Sequence, residues 1–83
     1  MKYIVTECED GKEDIFIFSE RIHHDCMMEM LRCIKNQSYG QWERISRGCI
    51  AAGFTDGIKC WGRSETLDIE SRGEKDAKLI GAR

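Results

Sequence analysis

Two short pairs, Arg63-Ser64 and Ser71-Arg72, hold the side chains best suited to chemistry in this sequence. A guanidinium presents parallel donors that match two oxygens of a phosphate or carboxylate, and a serine hydroxyl adds a further hydrogen bond. If the chain folds back between them, both pairs converge on one anion, and Trp61 or Tyr39 is available to stack on an attached base. The same spacing also serves an internal clasp, with Arg63 paired to Glu65 or Asp68 and Arg72 paired to Glu70 or Asp76 on the surface. Exposed ion pairs of that kind contribute little each. Spacing alone slightly favours the clasp.

The other reactive side chains do not assemble into a catalytic or metal-binding pattern. The five cysteines include the spacings Cys26-x6-Cys33, Cys33-x15-Cys49 and Cys49-x10-Cys60, with no Cys-x-x-Cys. On a helix, Cys26 and Cys33 lie about 10 Å apart by rise, too far to share one zinc ion. Buried reduced thiols are the expected state, and no metal is assigned. His23-His24-Asp25 offers imidazoles for acid–base work, but neighbours on a helix diverge by about 100° and cannot both face one substrate. A charged helix start is the simpler reading. The serines lack a nucleophile elbow, and no glycine-rich phosphate loop precedes a helix. No catalytic residue is therefore assigned, and a nucleotide-processing enzyme using His23 or His24 as its base is the weakest of the functional readings.

The elements that must position the arginine–serine pairs follow from turn signals and periodicity. Asp10-Gly11 marks a hairpin across residues 2–18, whose two-residue turn predicts Val5 opposite Phe16 and Tyr3 opposite Phe18. Its second strand, with IFIF at 15–18, is apolar on both faces. One face calls for a helix and the other for a second cover, which a neighbouring protomer would supply, so a homo-oligomer is expected. Residues 22–36 read as a helix with Met27, Met30, Leu31 and Ile34 as its inward stripe, Met28 as the exposed exception and Ser19 as a candidate N-cap. A second hairpin is predicted from about Trp42 to Leu67, turning at Asp56-Gly57. It puts Ile50, Ala52, Phe54 and Trp61 on one face together with Arg63, and Cys49, Ala51, Gly53, Cys60, Gly62 and Ser64 on the other. That second face is built of small residues, so a helix, another sheet or a ligand can approach its backbone closely. Residues 73–81 fit a short terminal helix touching the body through Ala77 and Ile80. The expected fold is α+β: two antiparallel hairpins in one sheet, packed by one central helix in ββαββ order.

Size and charge narrow the function classes. The chain has 83 residues and no proline, which suits one compact domain with little apolar material to spare. Its opening, MKYIVTECED, is too short an apolar run for a signal peptide or membrane span, and a cytoplasmic setting is expected. The net charge of −2 leaves no broad basic surface for nucleic-acid binding.

Gly53-Phe54, then Gly62-Arg63-Ser64-Glu65-Thr66-Leu67, then Ser71-Arg72 with Asp76, resemble the carboxy-terminal pattern GF…GRSESL…SR…D of small accessory proteins from tailed bacteriophages and prophages. The likeness covers roughly residues 45–80, with weaker similarity in KYIVTE and IKNQ. It implies a protein working in the host cytoplasm by binding, and it tips the balance at Arg63, Ser64, Ser71 and Arg72 towards a ligand site. The leading expectation is a non-enzymatic counter-defence protein that sequesters an anionic small molecule, with a signalling nucleotide as the ligand. The alternative is an inhibitor of a host defence protein, steered by the acidic first hairpin, Glu7 to Asp14.

Overall fold

The computed structural model describes residues 1–8, 11–37 and 45–82, excluding the side chains of residues 8, 32–37 and 45–47. The fold is α+β. Its elements are β1 (Lys2–Cys8), β2 (Glu13–Phe18), α1 (His24–Gln37), β3 (Ile45–Thr55), β4 (Cys60–Trp61), β5 (Arg63–Ser64), β6 (Ile69–Glu70) and α2 (Glu74–Gly81). The order is therefore not ββαββ, because a two-stranded ribbon and a second helix complete the chain. The main antiparallel sheet runs β2-β1-β3-β4, and β5 and β6 form a separate two-stranded ribbon.

The first hairpin forms, but one residue out of the predicted register: Val5 pairs with Ile15, Tyr3 with Ile17 and Ile4 with Phe16. Glu9 and Asp10, on which the predicted turn depends, lie outside the described residues. A one-residue slip exchanges the faces of a strand. Here it sends Ile15 to the side of Tyr3 and Val5, and Phe18 to the side of Ile4 and Ala52. The sheet thus has two cores. Tyr3, Val5, Ile15, Ala51 and Cys60 pack under Ala77, Leu79 and Ile80 of α2. Ile4, Phe18 and Ala52 pack under Met28 and Leu31 of α1, with Leu67 and Ile69 from the β5–β6 segment. The doubly apolar second strand is explained by this sandwich. The cover that the sequence assigned to another protomer is α2 of the same chain.

Helix α1 begins later than predicted; of its expected stripe, Leu31 is buried and Met27 packs partly against the core, but Met30 does not. Among its described side chains, His24, Met28 and Leu31, at i, i+4 and i+7, are the buried positions. Met28 is 2% exposed and Met30 44%, the reverse of the expected assignment. The polar His24 hides this periodicity from a hydrophobic count. Ser19 caps the turn before the helix instead: its hydroxyl accepts from Arg21 N at 3.2 Å, and its carbonyl accepts from Ile22 N at 3.1 Å. The side chain of Ile34 and the residues Tyr39 and Trp42 lie outside the described set.

The second hairpin is shorter than predicted and turns through four residues. Asp56 Oδ1 accepts from Ile58 N at 2.8 Å and Lys59 N at 2.7 Å, while Thr55 Oγ1 accepts from Gly57 N and donates to Lys59 O. Trp61 consequently pairs with Phe54, two positions from Ala52, the partner that a two-residue Asp56-Gly57 turn would give it, and so keeps its predicted face. A bulge between the Val5–Ala51 and Thr6–Cys49 pairs inverts the alternation in β3. Ile50 joins the α2 core and Cys49 the α1 core, opposite to the predicted faces. Gly62, at φ 78°, ends β4 and turns Arg63 and Ser64 out of the predicted hairpin into β5.

Candidate functional site

The small-residue face is a packing surface for the C-terminal segment. Ser71 N donates to Gly62 O at 2.9 Å, and a Cβ on Gly53 would meet the Trp61 carbonyl and lie 3.2 Å from Ser71 Cβ. Glycine at position 53 is what lets the segment lie this close to β3 and β4. The segment brings Ser71 over β1, where its Oγ lies 2.6 Å from Tyr3 Oη, and α2 places Asp76 Oδ2 2.5 Å from the same phenol oxygen. Tyr3 has one proton to give. The carboxylate is the stronger acceptor, so Tyr3 donates to Asp76 and the Ser71 hydroxyl donates to Tyr3. Ser71 Oγ in turn accepts from Gly73 N at 3.0 Å. Burial, followed by the Asp76 carboxylate, pushes the Tyr3 phenol well above its ordinary range.

Arg72 completes this clasp. Its Nε donates to Asp76 Oδ1 at 2.7 Å and its backbone N to Asp76 Oδ2 at 2.8 Å. The two terminal nitrogens form a fork onto Glu13 of β2 at 3.2 and 3.0 Å. Burial alone would lower the Arg72 pKa, but the two carboxylates outweigh it and hold it above the usual value. The Arg72 hydrogen bond is the chief cause of a lowered Glu13 pKa. The Arg72–Asp76 pair anticipated by the clasp reading is therefore present, with Asp76 fully buried and not on the surface. Glu13 carries no local signal in the sequence, because it lies 59 positions from Arg72.

The structure does not bring the two arginine–serine pairs to one anion. Ser64 is fully buried, and its Oγ accepts from Leu67 N at 3.1 Å within the β5–β6 turn. Arg63 remains on the surface, ion-paired with Asp68. Tyr39 lies outside the described residues, and Trp61 is 50% exposed beside its cross-strand partner Phe54.

Arg63 lines an open cleft of about 420 Å³ with Lys2, His23, His24, Phe54, Glu65 and Thr66. This is the arrangement with binding chemistry. Lys2 and Arg63 supply two cations, Thr66 a hydroxyl and Phe54 an apolar wall, with Glu65 as the acidic group on the rim. Lys2 Nζ is anchored by Ile22 O at 3.1 Å and keeps further ammonium donors for a ligand. Lys2 reaches the cleft because β1 pairs it with Phe54, a long-range contact that a reading centred on the arginine–serine pairs misses.

His24 forms the inner wall. Its Nε2–H donates to Gly53 O at 3.0 Å, and its ring stands edge-on to Phe18 and Phe54. Burial lowers its pKa, so the neutral ring is favoured. With Nε2 committed to a carbonyl, His24 acts as a packing and positioning residue in this conformation.

A second cavity, of about 350 Å³, is lined by Cys26 and Cys49 among carboxylate and apolar side chains. Among the described residues, no three histidine, cysteine or acidic side chains are grouped to hold a metal ion. Cys60 is buried, and that burial raises its thiol pKa. No described helix is long and apolar enough to cross a membrane. No protein-family model, curated protein or solved structure matches the chain.

Proposed function

We propose that this is a non-enzymatic binding protein that sequesters a small anionic ligand, a signalling nucleotide, in the cleft holding Lys2 and Arg63. The observation carrying this reading is the presence of two cations and a hydroxyl beside an aromatic wall in one open cleft. Arg63 and Lys2 take the phosphate, Thr66 adds a hydrogen bond, and the exposed Trp61 is available to stack on the base. Capture would lower the free concentration of the ligand without turning it over. The resemblance of Gly62–Leu67 and Ser71-Arg72 to tailed-phage accessory proteins supports counter-defence in the host cytoplasm as the setting. Arg72 and Ser71 contribute from behind, by fixing the segment that packs on β3 and β4.

Native mass spectrometry against a panel of nucleotides tests the proposal. A bound, chemically unaltered nucleotide that is lost in Arg63→Ala and Lys2→Ala supports capture. The second reading, inhibition of a host protein, draws on Ile58 and Trp61, which are 76% and 50% exposed. No nucleotide mass shift and no thermal stabilisation, with a host protein co-purifying stoichiometrically, would favour that reading instead.

A further inference from the structure

We infer that Glu65 makes the anion cleft select guanine nucleotides, by accepting two hydrogen bonds from the edge of the base. This rests on the anion-binding reading above. A carboxylate works against phosphate, yet Glu65 lines the same cleft as Lys2 and Arg63. Its charge is not spent on the neighbouring guanidinium, because Arg63 pairs with Asp68. Among the described residues, none forms a hydrogen bond or ion pair with Glu65, so both carboxylate oxygens are open to a ligand. Ser64 is buried between Arg63 and Glu65, and strand alternation puts those two on the outer side with Cα atoms about 6–7 Å apart. They can therefore hold different ends of one nucleotide, the phosphate at Arg63 and Lys2 and the base at Glu65. The surface available to the base is aromatic: Phe54 lines the cleft and pairs across the strands with half-exposed Trp61, so the two rings share a face of the sheet.

The selectivity comes from donors and acceptors. An ionised carboxylate only accepts hydrogen bonds. Guanine presents N1–H and N2–H side by side, two parallel donors that match its two oxygens. Adenine and cytosine each present one amino donor beside a ring-nitrogen lone pair, which the second oxygen repels. Hypoxanthine keeps N1–H but lacks the amino group, so it makes one of the two bonds. Repulsion between Glu65 and phosphate lowers the affinity of every nucleotide by the same factor and sets no preference. The donor pattern differs between nucleotides with identical phosphates, and it does. A good bidentate pairing of side chain and base is worth about fivefold to 150-fold in discrimination, and the exposure of Glu65 puts this cleft at the lower end.

The test is calorimetric titration of 5′-GMP, 5′-IMP and 5′-AMP, which carry the same phosphate, into wild type and Glu65→Gln at pH 8. Wild type is expected to bind GMP at least about fivefold more tightly than AMP, with IMP between them. Glu65→Gln removes the negative charge and turns one acceptor into a donor, so AMP should bind more tightly and the preference for GMP should fall below about twofold. Affinities that rise together in the variant, with the ratio unchanged, show charge alone at work and overturn the inference, as does equal binding of GMP and AMP by wild type. Both results leave the anion-binding reading standing. If none of the three nucleotides binds wild type or the variant, the anion-binding reading falls, and this inference with it.

Discussion

Asp76, in the first turn of α2, accepts the phenolic proton of Tyr3 from the central strand across 2.5 Å, and the two residues lie 73 positions apart. The same carboxylate receives the Arg72 guanidinium and backbone N–H, so one buried side chain joins the helix, the preceding segment and the sheet. Removing one partner of a buried charge pair costs about 3–5 kcal/mol, and because Glu13 still pairs with Arg72 the loss here falls at the lower end of that range. Asp76→Asn should lower stability by about this amount in urea denaturation. Tyr3→Phe removes the hydrogen bond to the charged Asp76, worth about 1.5–3 kcal/mol, and the weaker one accepted from Ser71, and should still cost less than Asp76→Asn. Equal losses in the two variants would argue against Asp76 as the organising residue.

Acid should weaken the fold in two stages. His24 has a folded pKa below its ordinary 6.5, so its contribution is present above that value and declines as pH falls towards the folded value. Glu13 has a folded pKa below its ordinary 4.5, so its contribution is present above 4.5 and is lost as pH falls through the depressed value. Unfolding free energy measured from pH 8 to 3 should show both declines. Glu13→Gln should flatten only the lower one, and His24→Asn only the upper one.

Gly57 and Gly62 both have positive φ, at 93° and 78°, but differ in their surroundings. A Cβ at Gly57 meets open space, whereas one at Gly62 would lie 2.9 Å from the Phe54 ring. Gly57→Ala should cost about 1 kcal/mol for the backbone, and Gly62→Ala about 2–3 kcal/mol. Thermal melts of the two variants provide the comparison, and equal midpoints would mean that the Phe54 contact yields without cost.

The methionines of α1 give a direct check on which face of the helix is buried. Met28→Ala should destabilise by about 2–5 kcal/mol, while Met30→Ala should remain within about 0.5 kcal/mol of wild type. A larger loss at Met30 in chemical denaturation would mean that the face predicted from apolar spacing is the packed one.

Much of the architecture was legible in local patterns. The first strand pair, the following helix, the strand ending near Asp56-Gly57 and the terminal helix have signals that span only a few residues. The errors are also local in origin. The Asp10-Gly11 pattern implied a two-residue turn, but the register that serves both cores places Val5 opposite Ile15. A buried histidine displaced the apparent stripe of α1, and a bulge at Ile50 inverted the start of β3. Each is a case of tertiary packing overruling a preference worth about 1 kcal/mol or less.

For the candidate site, the sequence by itself determined the chemistry available: cations at Arg63 and Arg72, hydroxyls beside them, an aromatic residue at Trp61, and acids within pairing distance along the chain. Tertiary structure decided which of these work inward. Arg72 closes a clasp on Asp76 and distant Glu13, while Arg63, turned out of β4 after Gly62, lines the cleft with Lys2. A spacing of nine residues cannot encode that division, because it depends on which side of the sheet each guanidinium reaches and on whether water or a buried carboxylate awaits it there.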